Sequence, residues 1–204
     1  MSRNSKHWMQ THSRDQFVKQ ARCSNYRSRA AYKLMQIDHR DRLFLPGQVV
    51  VDLGAAPGSW SQYVHQRVGS RGKVIAVDVL DMAPLTDVVT IKGDFTDASV
   101  FEKCIEVLPD GIADLVISDM APNLSGIRST DQARSMLLAD LVYDFSNRVL
   151  RPGGDMLIKL FQGQGTDAFK REVMERFQRV MTRKPEASRN SSREFYILAR
   201  GYVV

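Results

Sequence analysis

Glycines and carboxylates follow the apolar runs of this chain in an order that suits a nucleotide ligand. The first run leads into residues 52–60, where Gly54 and Gly58 let the backbone turn tightly and approach a ligand closely. The second run ends at Asp78, 26 residues after Asp52. A carboxylate at that point can accept hydrogen bonds from both ribose hydroxyls of an adenosine.

Further polar positions extend this series. The third apolar run is followed by Asp94 and Phe95, a carboxylate and a ring suited to the edge and the face of an adenine, and the fourth run ends at Asp119. Each of these residues alone could be a simple turn or cap residue. Because ligands of open α/β sheets bind beyond the carboxyl ends of the strands, we predict that together they line one adenosine-binding cleft.

The glycine spacing separates the candidate ligands. A dinucleotide site is typified by G-x-G-x-x-G, whereas this chain has Gly54-Ala-Ala-Pro-Gly58, and it holds no G-x-x-x-x-G-K-[ST] phosphate loop. With no diphosphate to cradle, a glycine loop and a ribose-binding acid favour S-adenosylmethionine as the cofactor.

A lysine, Lys159, lies inside the fifth apolar run, Met156–Phe161. Burial disfavours the charged form of a lysine, so its position is energetically costly. One interpretation is a strand-end side chain that reaches water. The other is a functional pair, because the neighbouring strand of a parallel sheet would be the fourth, which ends at Asp119. A Lys–Asp pair beside a methyl donor would suit activation of a hydroxyl.

The apolar runs alternate with helical patterns from Gln48 onward. This alternation predicts an α/β fold, with a mostly parallel sheet and helices on both faces. The predicted strands are Val49–Leu53, Lys73–Val79, Val88–Lys92, Asp114–Ser118, Asp155–Phe161 and Glu194–Ala199.

Two helices are predicted between the later strands. One spans 130–149, with Thr130 as its N-cap and apolar residues at every fourth position, and Arg151–Gly154 would end it as a turn. The other spans 166–180, where apolar side chains again recur on one face.

Positive charge is concentrated at the start of the chain. The formal net charge is +6, and residues 1–45 hold ten Lys/Arg against three Asp, a net +7, so the other residues sum to −1. A second basic run spans Arg179–Arg193. Segregated cations indicate a polyanionic partner, although a solvated surface is the alternative. We predict a basic helical extension, 1–45, that binds RNA and belongs to the same domain as a catalytic part, 46–204.

Cysteine content and hydropathy narrow the class of protein. Cys23 and Cys104 form no CxxC pair, which indicates free thiols in a reducing compartment and no metal site. No stretch approaches the ~20 apolar residues of a membrane span, and the start of the chain lacks the apolar core of a signal peptide. We therefore expect a cytoplasmic protein with neither membrane nor metal, and a monomer.

Taken together, the motifs resemble the FtsJ/RrmJ family of ribosomal RNA ribose 2′-O-methyltransferases. The similarity extends over nearly the whole chain. The motifs that carry it span 27–34, 52–62, 118–123, 151–154, 159–163, 184–185 and 191–194.

The resemblance implies a Rossmann-like methyltransferase fold with a seven-stranded sheet in which one strand is antiparallel. It also implies a catalytic tetrad, which falls on Lys33, Asp119, Lys159 and Glu194. The family's cofactor positions fall on Gly58, Trp60, Asp78, Asp94 and Asp119, to which we add Gly54, Pro57 and Phe95 from the loops at the strand ends.

The implied reaction transfers the methyl group of S-adenosylmethionine to the ribose 2′-hydroxyl of a uridine in 23S ribosomal RNA, within the large ribosomal subunit. Lys159 would act as a general base, which must be neutral when it accepts the proton, or as a cation that steers the hydroxyl. Asp119 would hold Lys159 and border the methyl donor, Glu194 would position Lys159, and Lys33 would orient the ribose or its phosphate. The sequence leaves both roles of Lys159 open.

Other methyl acceptors fit the motifs less well. Enzymes that methylate amino groups usually carry [D/N]-P-P-[Y/F/W] after the fourth strand, where this chain has Asp119-Met-Ala-Pro122. Pyrimidine C5 enzymes need a nucleophilic cysteine, and neither cysteine lies at a strand end. Two alternatives stay open: ribose methylation of a tRNA anticodon loop, and a catalytically silent RNA-binding factor for ribosome assembly, which the complete tetrad disfavours.

Overall fold

The apolar, β-branched runs of the sequence form a seven-stranded sheet with helices on both faces. The computed structural model describes residues 15–123, 125–189 and 192–204. The strands are β1 (Val49–Leu53), β2 (Lys73–Asp78), β3 (Val88–Lys92), β4 (Ala113–Ser118), β5 (Leu150–Phe161), β6 (Phe177–Arg183) and β7 (Glu194–Tyr202). The helices are α1 (Gln16–Cys23), α2 (Ala31–Asp41), α3 (Ser59–Val68), α4 (Ala98–Val107), α5 (Arg128–Val149) and α6 (Thr166–Arg176), with a 3₁₀ turn at Pro109–Gly111.

The strand order β3-β2-β1-β4-β5-β7-β6 brings the carboxyl ends of the central strands to one edge. Strands β1 to β5 pair in parallel, and β7 runs antiparallel to both β5 and β6. The predicted sheet with one antiparallel strand is therefore confirmed. Because β7 begins where β5 ends, Glu194 pairs with Phe161 at that same edge.

Both faces of the central strands are covered, which explains why they read as continuous apolar runs. On one face, Met156, Ile158 and Leu160 of β5 pack with α4, α5 and α6. On the other face, Leu157 packs with α2 and α3. Within the described parts of the chain, no helix is both long and apolar enough to cross a membrane.

The predicted helices of the basic extension are α1 and α2, and residues 1–14 lie outside the described residues. Helix α2 buries Leu34 and Ile37 against Trp60 and Val64 of α3. The extension and the sheet therefore share one apolar layer.

A buried carboxylate, Asp38, closes the end of α2. Its Oδ1 accepts hydrogen bonds from the backbone N–H groups of Leu43 and Phe44, at 2.8 and 3.1 Å. Its Oδ2 accepts from the Tyr63 hydroxyl at 2.6 Å and from Arg67 Nε at 2.9 Å. Four donors converge on one side chain, so Asp38 fixes the turn after α2 and ties it to α3.

Three details of the helix predictions are wrong. Helix α5 begins at Arg128 rather than at Thr130, because the backbone N–H and the hydroxyl of Ser125 donate to Asp131 Oδ1 and hold the loop before the helix. Leu137 is 58% exposed, since the buried face of α5 is shifted around the helix. Arg151–Gly154 does not form a separate turn but an irregular part of β5, where the register with β4 shifts.

The predicted helix over 166–180 is also too long. It ends at Arg176, and the next residue begins strand β6. The apolar spacing of Phe177 and Val180 continues a helical face, but antiparallel pairing with β7 decides the conformation, with Phe177 opposite Tyr202. Tertiary pairing overrides a short local pattern here.

We predict that Asp38→Ala lowers the free energy of unfolding by about 3 kcal/mol or more, because buried donors would lose their acceptor. Urea unfolding monitored by circular dichroism measures this loss. The control is Asp97→Ala, an exposed aspartate whose side chain makes no capping hydrogen bond. Equal stability of the two variants would contradict the assigned role of Asp38.

Candidate active site

A cleft of about 530 Å³ opens at the carboxyl ends of β1, β2, β3 and β4. Five of the residues predicted to bind a cofactor line it together: Gly54, Asp78, Asp94, Phe95 and Asp119. Its size lies within the range of small-molecule sites. The order of the strands explains this convergence, because β1 lies between β2 and β4 in the sheet.

Close packing requires glycine at the first turn of the cleft. Gly54 has φ +73°, and a Cβ there would lie 2.0 Å from Met120 Cγ. Gly58, with φ +101°, immediately precedes α3, and a Cβ there would lie 2.7 Å from Met82 Sδ. Both glycines therefore let neighbouring loops close over the backbone.

The carboxylates of the cleft are partly engaged by their own loops. Asp78 accepts hydrogen bonds from the backbone N–H of Ala56 and of Leu80, both at 2.8 Å, one on each oxygen. Asp94 Oδ1 accepts from the backbone and hydroxyl of Thr96. An ionised carboxylate has about four lone-pair sites, so each side chain is held in place and still able to accept bonds from a ligand.

The apolar surface of the cleft differs from the sequence prediction. Phe95 is only 9% exposed and packs edge-on against Phe145, with ring centroids 5.9 Å apart. It therefore lines the cleft with only a small exposed part of its ring. Val79 and Leu80, which follow Asp78, are exposed and line the cleft. We did not predict these two residues, although an apolar pair after a strand-end acid was visible in the sequence.

The remaining predicted cofactor residues lie beside the cleft. Trp60 is 2% exposed, donates from Nε1 to the Ala30 carbonyl at 2.8 Å, and packs on Tyr196. Its indole therefore joins the sheet to α2, and only its backbone N–H, in the first turn of α3, is available to a ligand. Pro57 and Gly58 form the connection that leads into that turn.

Arg27 connects the extension to this loop. Its guanidinium donates to the carbonyls of Pro57, Ala83 and Pro84 at 2.9, 2.7 and 2.8 Å. Arg29 pairs with Asp15 and also donates to a backbone carbonyl of the loop before β7. Both arginines belong to the basic extension that we predicted to bind RNA, yet each is used within the protein.

The four tetrad residues converge at the edge of the cleft, from four different elements. Lys159 Nζ lies 3.1 Å from Asp119 Oδ1 and also donates to the Asp119 carbonyl. Lys33 Nζ lies 2.7 Å from Glu194 Oε1 and 3.8 Å from Asp119 Oδ1. The Lys159 side chain is 7% exposed and the Asp119 side chain 18%, so the predicted lysine–aspartate pair is partly buried.

A fifth residue, Tyr196, belongs to this cluster and was missed. Its hydroxyl donates to Asp119 Oδ1 at 2.6 Å, and its ring lies between Trp60 and the ammonium of Lys33. Residues two apart on a strand face the same side, so its position after Glu194 was the available signal. Burial, Asp119 and Glu194 raise the pKa of Tyr196 well above its usual value, which keeps the hydroxyl a donor.

Glu194 is ionised in this setting. Burial is the largest single effect and raises its pKa, but the charge and hydrogen bond of Lys33, the nearby Ser188 hydroxyl and the charge of Lys159 together outweigh burial, so the pKa is lowered overall. The Glu194 carboxylate and the Lys33 side chain therefore form an ion pair at the edge of the cleft.

Comparison with known proteins decides the family. The model of the FtsJ-like methyltransferases matches residues 26–202. The chain belongs to the FtsJ-like methyltransferase family. It is 52% identical to the ribosomal RNA large subunit methyltransferase E of Pseudomonas aeruginosa PAO1, over 98% of this chain and 97% of that one. The protein of the same name from Pseudomonas fluorescens Pf-5 is 49% identical, over 98% and 96%.

A solved structure supports the same membership in the family. A protein described as a ribosomal RNA methyltransferase from Plasmodium falciparum superimposes with a TM-score of 0.80 at 30% identity, covering 87% of this chain and 98% of that one. The FtsJ-like fold predicted from the motifs is thus confirmed.

One buried acid of the family's glycine loop, Asp52, has an unusual environment. It is fully buried at the end of β1, and the Ser61 hydroxyl donates to its Oδ2 at 2.6 Å. Burial raises its pKa to about 7, the Ser61 hydrogen bond opposes the shift, and the charges of Asp119 and Asp78 add to it.

This environment predicts a pH-dependent effect of Asp52→Asn. The folded protein holds the Asp52 proton up to about pH 7, whereas an unfolded aspartate releases it near pH 4. The protonated acid therefore stabilises the fold fully below about pH 4, and this contribution is lost as the pH rises to about 7. Asparagine mimics the protonated form at every pH.

The free energy of unfolding of Asp52→Asn relative to wild type should rise between pH 4 and 7, by up to about 4 kcal/mol, and stay level above pH 7. Urea unfolding at half-unit pH steps measures this, with the exposed Asp97→Asn as control. A difference from wild type that does not change with pH would contradict the assignment.

Proposed function

We propose that this protein transfers the methyl group of S-adenosylmethionine to the ribose 2′-hydroxyl of a uridine in large-subunit ribosomal RNA. The observation that carries the proposal is the partly buried Lys159–Asp119 pair, with Lys33 and Glu194 beside it, at the edge of a cleft lined by strand-end carboxylates. The relatives that are about half identical over their full length are named for this class of RNA.

The residues of the cleft fit S-adenosylmethionine. Asp78 would accept the ribose hydroxyls, and Val79 and Leu80 would contact the adenine, whose edge would face Asp94. The first turn of α3 directs unpaired N–H groups outward, which suits a carboxylate. When bound, the cofactor supplies a sulfonium-activated methyl group.

The protein's own groups act on the acceptor. A ribose hydroxyl is a poor nucleophile and must lose its proton as the new carbon–oxygen bond forms and the carbon–sulfur bond breaks. Lys159 accepts that proton or directs the hydroxyl as a cation, and Asp119 holds the Lys159 ammonium at 3.1 Å. Glu194 holds Lys33 at 2.7 Å, so that Lys33 can orient the ribose or its phosphate.

The RNA would reach Lys33 from the side of the extension. A cleft of about 410 Å³ lies there, lined by Arg29, Lys33, Phe161 and Arg189. Exposed cations of α1 and α2, such as Lys19, Arg22 and Arg40, add positive surface. In this proposal residues 1–45 bind RNA as part of the same domain as 46–204, and the protein acts in the cytoplasm as a monomer on the large ribosomal subunit.

Asp78→Ala should weaken the binding of S-adenosylmethionine about 10- to 150-fold, because a hydrogen bond to a charged group contributes about 1.5–3 kcal/mol. Isothermal titration calorimetry measures the affinity. Asp81→Ala is the matched control, since this exposed acid of the same loop pairs with Lys92 on the surface. Equal affinities of the two variants would refute the ribose-binding role of Asp78.

Lys159→Ala should reduce the single-turnover rate of methyl transfer by at least about 10²–10⁴-fold, the usual contribution of a general base. Its affinity for S-adenosylmethionine and its circular dichroism should stay close to wild type. The exposed Lys103→Ala should transfer methyl groups at the wild-type rate. Near-wild-type turnover of Lys159→Ala on the native RNA would overturn the proposed chemistry.

The pH profile of the same assay distinguishes the two roles of Lys159. If the lysine accepts the proton, the wild-type rate rises with pH to a plateau, and Lys159→Arg stays inactive, because a guanidinium does not lose its proton in proteins. If the lysine steers as a cation, Lys159→Arg retains part of the rate.

A further inference from the structure

Two clefts flank the β5–β7 pair. One is the cleft beside Lys33 described above, and the second cleft lies on the opposite side of the pair. Its volume is about 390 Å³, and it opens between the first turn of α5 and the connection after β5. Arg128 and Ser129 line it from the helix, and Gln164 and Arg193 line it from the connections. None of the described residues that line it is acidic, so its electrostatic potential favours an anion.

A buried amide, Gln132, also lines this cleft and points to a ligand. The residue is 8% exposed, and its Nε2 donates to the carbonyls of Phe161 and Gln164 at 3.2 and 3.0 Å. Those two acceptors fix the orientation of the amide, because only the nitrogen can donate. The Oε1 atom is buried and has no hydrogen-bond partner among the described residues. Unsatisfied buried acceptors are rare, and this one would be satisfied by a donor on a ligand.

The backbone of Gly163 lies directly against the amide of Gln132. A Cβ on Gly163 would lie 2.4 Å from Gln132 Oε1. A side chain there would displace the amide from the wall of the cleft.

The second cleft adjoins the tetrad. Arg193 directly precedes Glu194, and its carbonyl accepts a hydrogen bond from the Gln162 N–H at 3.0 Å. Alternation along the strand turns Glu194 and Tyr196 toward α2, and Arg193 toward α5. An RNA strand that presents a ribose at Lys159 therefore has a basic cleft on each side of the β5–β7 pair.

We infer that the second cleft binds the nucleotide next to the acceptor ribose, with Arg128 and Arg193 on its phosphate and Gln132 Oε1 accepting a hydrogen bond from one of its hydroxyl or N–H groups. Arginine forks match phosphate oxygens, and the N–H groups of the first helical turn add to the attraction. A free phosphate would also satisfy the arginines, whereas a nucleotide adds base and sugar groups, whose hydroxyl and N–H donors match the amide oxygen. This inference rests on the proposed methylation of RNA.

The test uses the full-length protein and an RNA fragment of the large subunit that wild type methylates. Arg128→Ala/Arg193→Ala should raise the KM for RNA about tenfold or more and change kcat less than twofold, with unchanged affinity for S-adenosylmethionine. Arg71→Ala is the control, because this exposed arginine lies before β2, at the opposite edge of the sheet. It should leave the KM unchanged.

Neutral methylphosphonate linkages, each replacing one phosphate of the RNA next to the acceptor nucleotide, then show which phosphate the two arginines contact. At one position the substitution should raise the wild-type KM and leave that of the double variant unchanged, since the two changes remove the same interaction. A double variant with a wild-type KM, or additive effects at every position, would overturn the assignment of the cleft. A wild-type protein that methylates no large-subunit RNA would instead refute the proposed function itself.

Discussion

Two lysines and two carboxylates are paired with little exposure to solvent at the end of this sheet, and much of the fold serves to bring them together. A buried charge without a partner is strongly unfavourable. Lys159 enters the interior on β5 and meets Asp119 from β4, while Lys33 from α2 meets Glu194 from β7. Because these groups come from elements far apart in sequence, the tetrad forms only when the helix of the extension is seated on the sheet.

The packing of α2 on the sheet connects the proposed RNA-binding side of the molecule to the proposed cofactor-binding side. Trp60, at the start of α3, hydrogen-bonds to the Ala30 carbonyl just before α2. Asp38 closes the other end of α2, and Arg27 reaches the carbonyl of Pro57 beside the cofactor loop. The basic extension is therefore a structural support for the cleft as well as a source of positive charge, and a substitution such as Arg27→Ala would disturb both.

The sequence predicted those features that leave a local pattern of residues, namely the buried strands and the polar residues at their ends. Buried parallel strands appear as apolar runs, so β1 and β3 were predicted at their observed bounds, and the strand-end residues were expected in one cleft. Side-chain direction was not predictable, because packing sets it: Trp60 turns into the α2 layer, and Phe95 packs under the cleft. Strand β6 was missed for a related reason, since its pairing with β7 is a long-range contact that a helical spacing of apolar residues conceals.

The position of the transferred methyl group tests the central claim most directly. Methylation of a ribose O2′ protects the adjoining phosphodiester from alkali, because the neighbouring hydroxyl can no longer attack it. Large-subunit RNA incubated with wild-type protein and S-adenosylmethionine labelled on its methyl group should be hydrolysed with alkali and fractionated by size. The account predicts label in an alkali-resistant dinucleotide whose 5′ nucleoside is a uridine. Label recovered only in mononucleotides would place the methyl group on a base and contradict it.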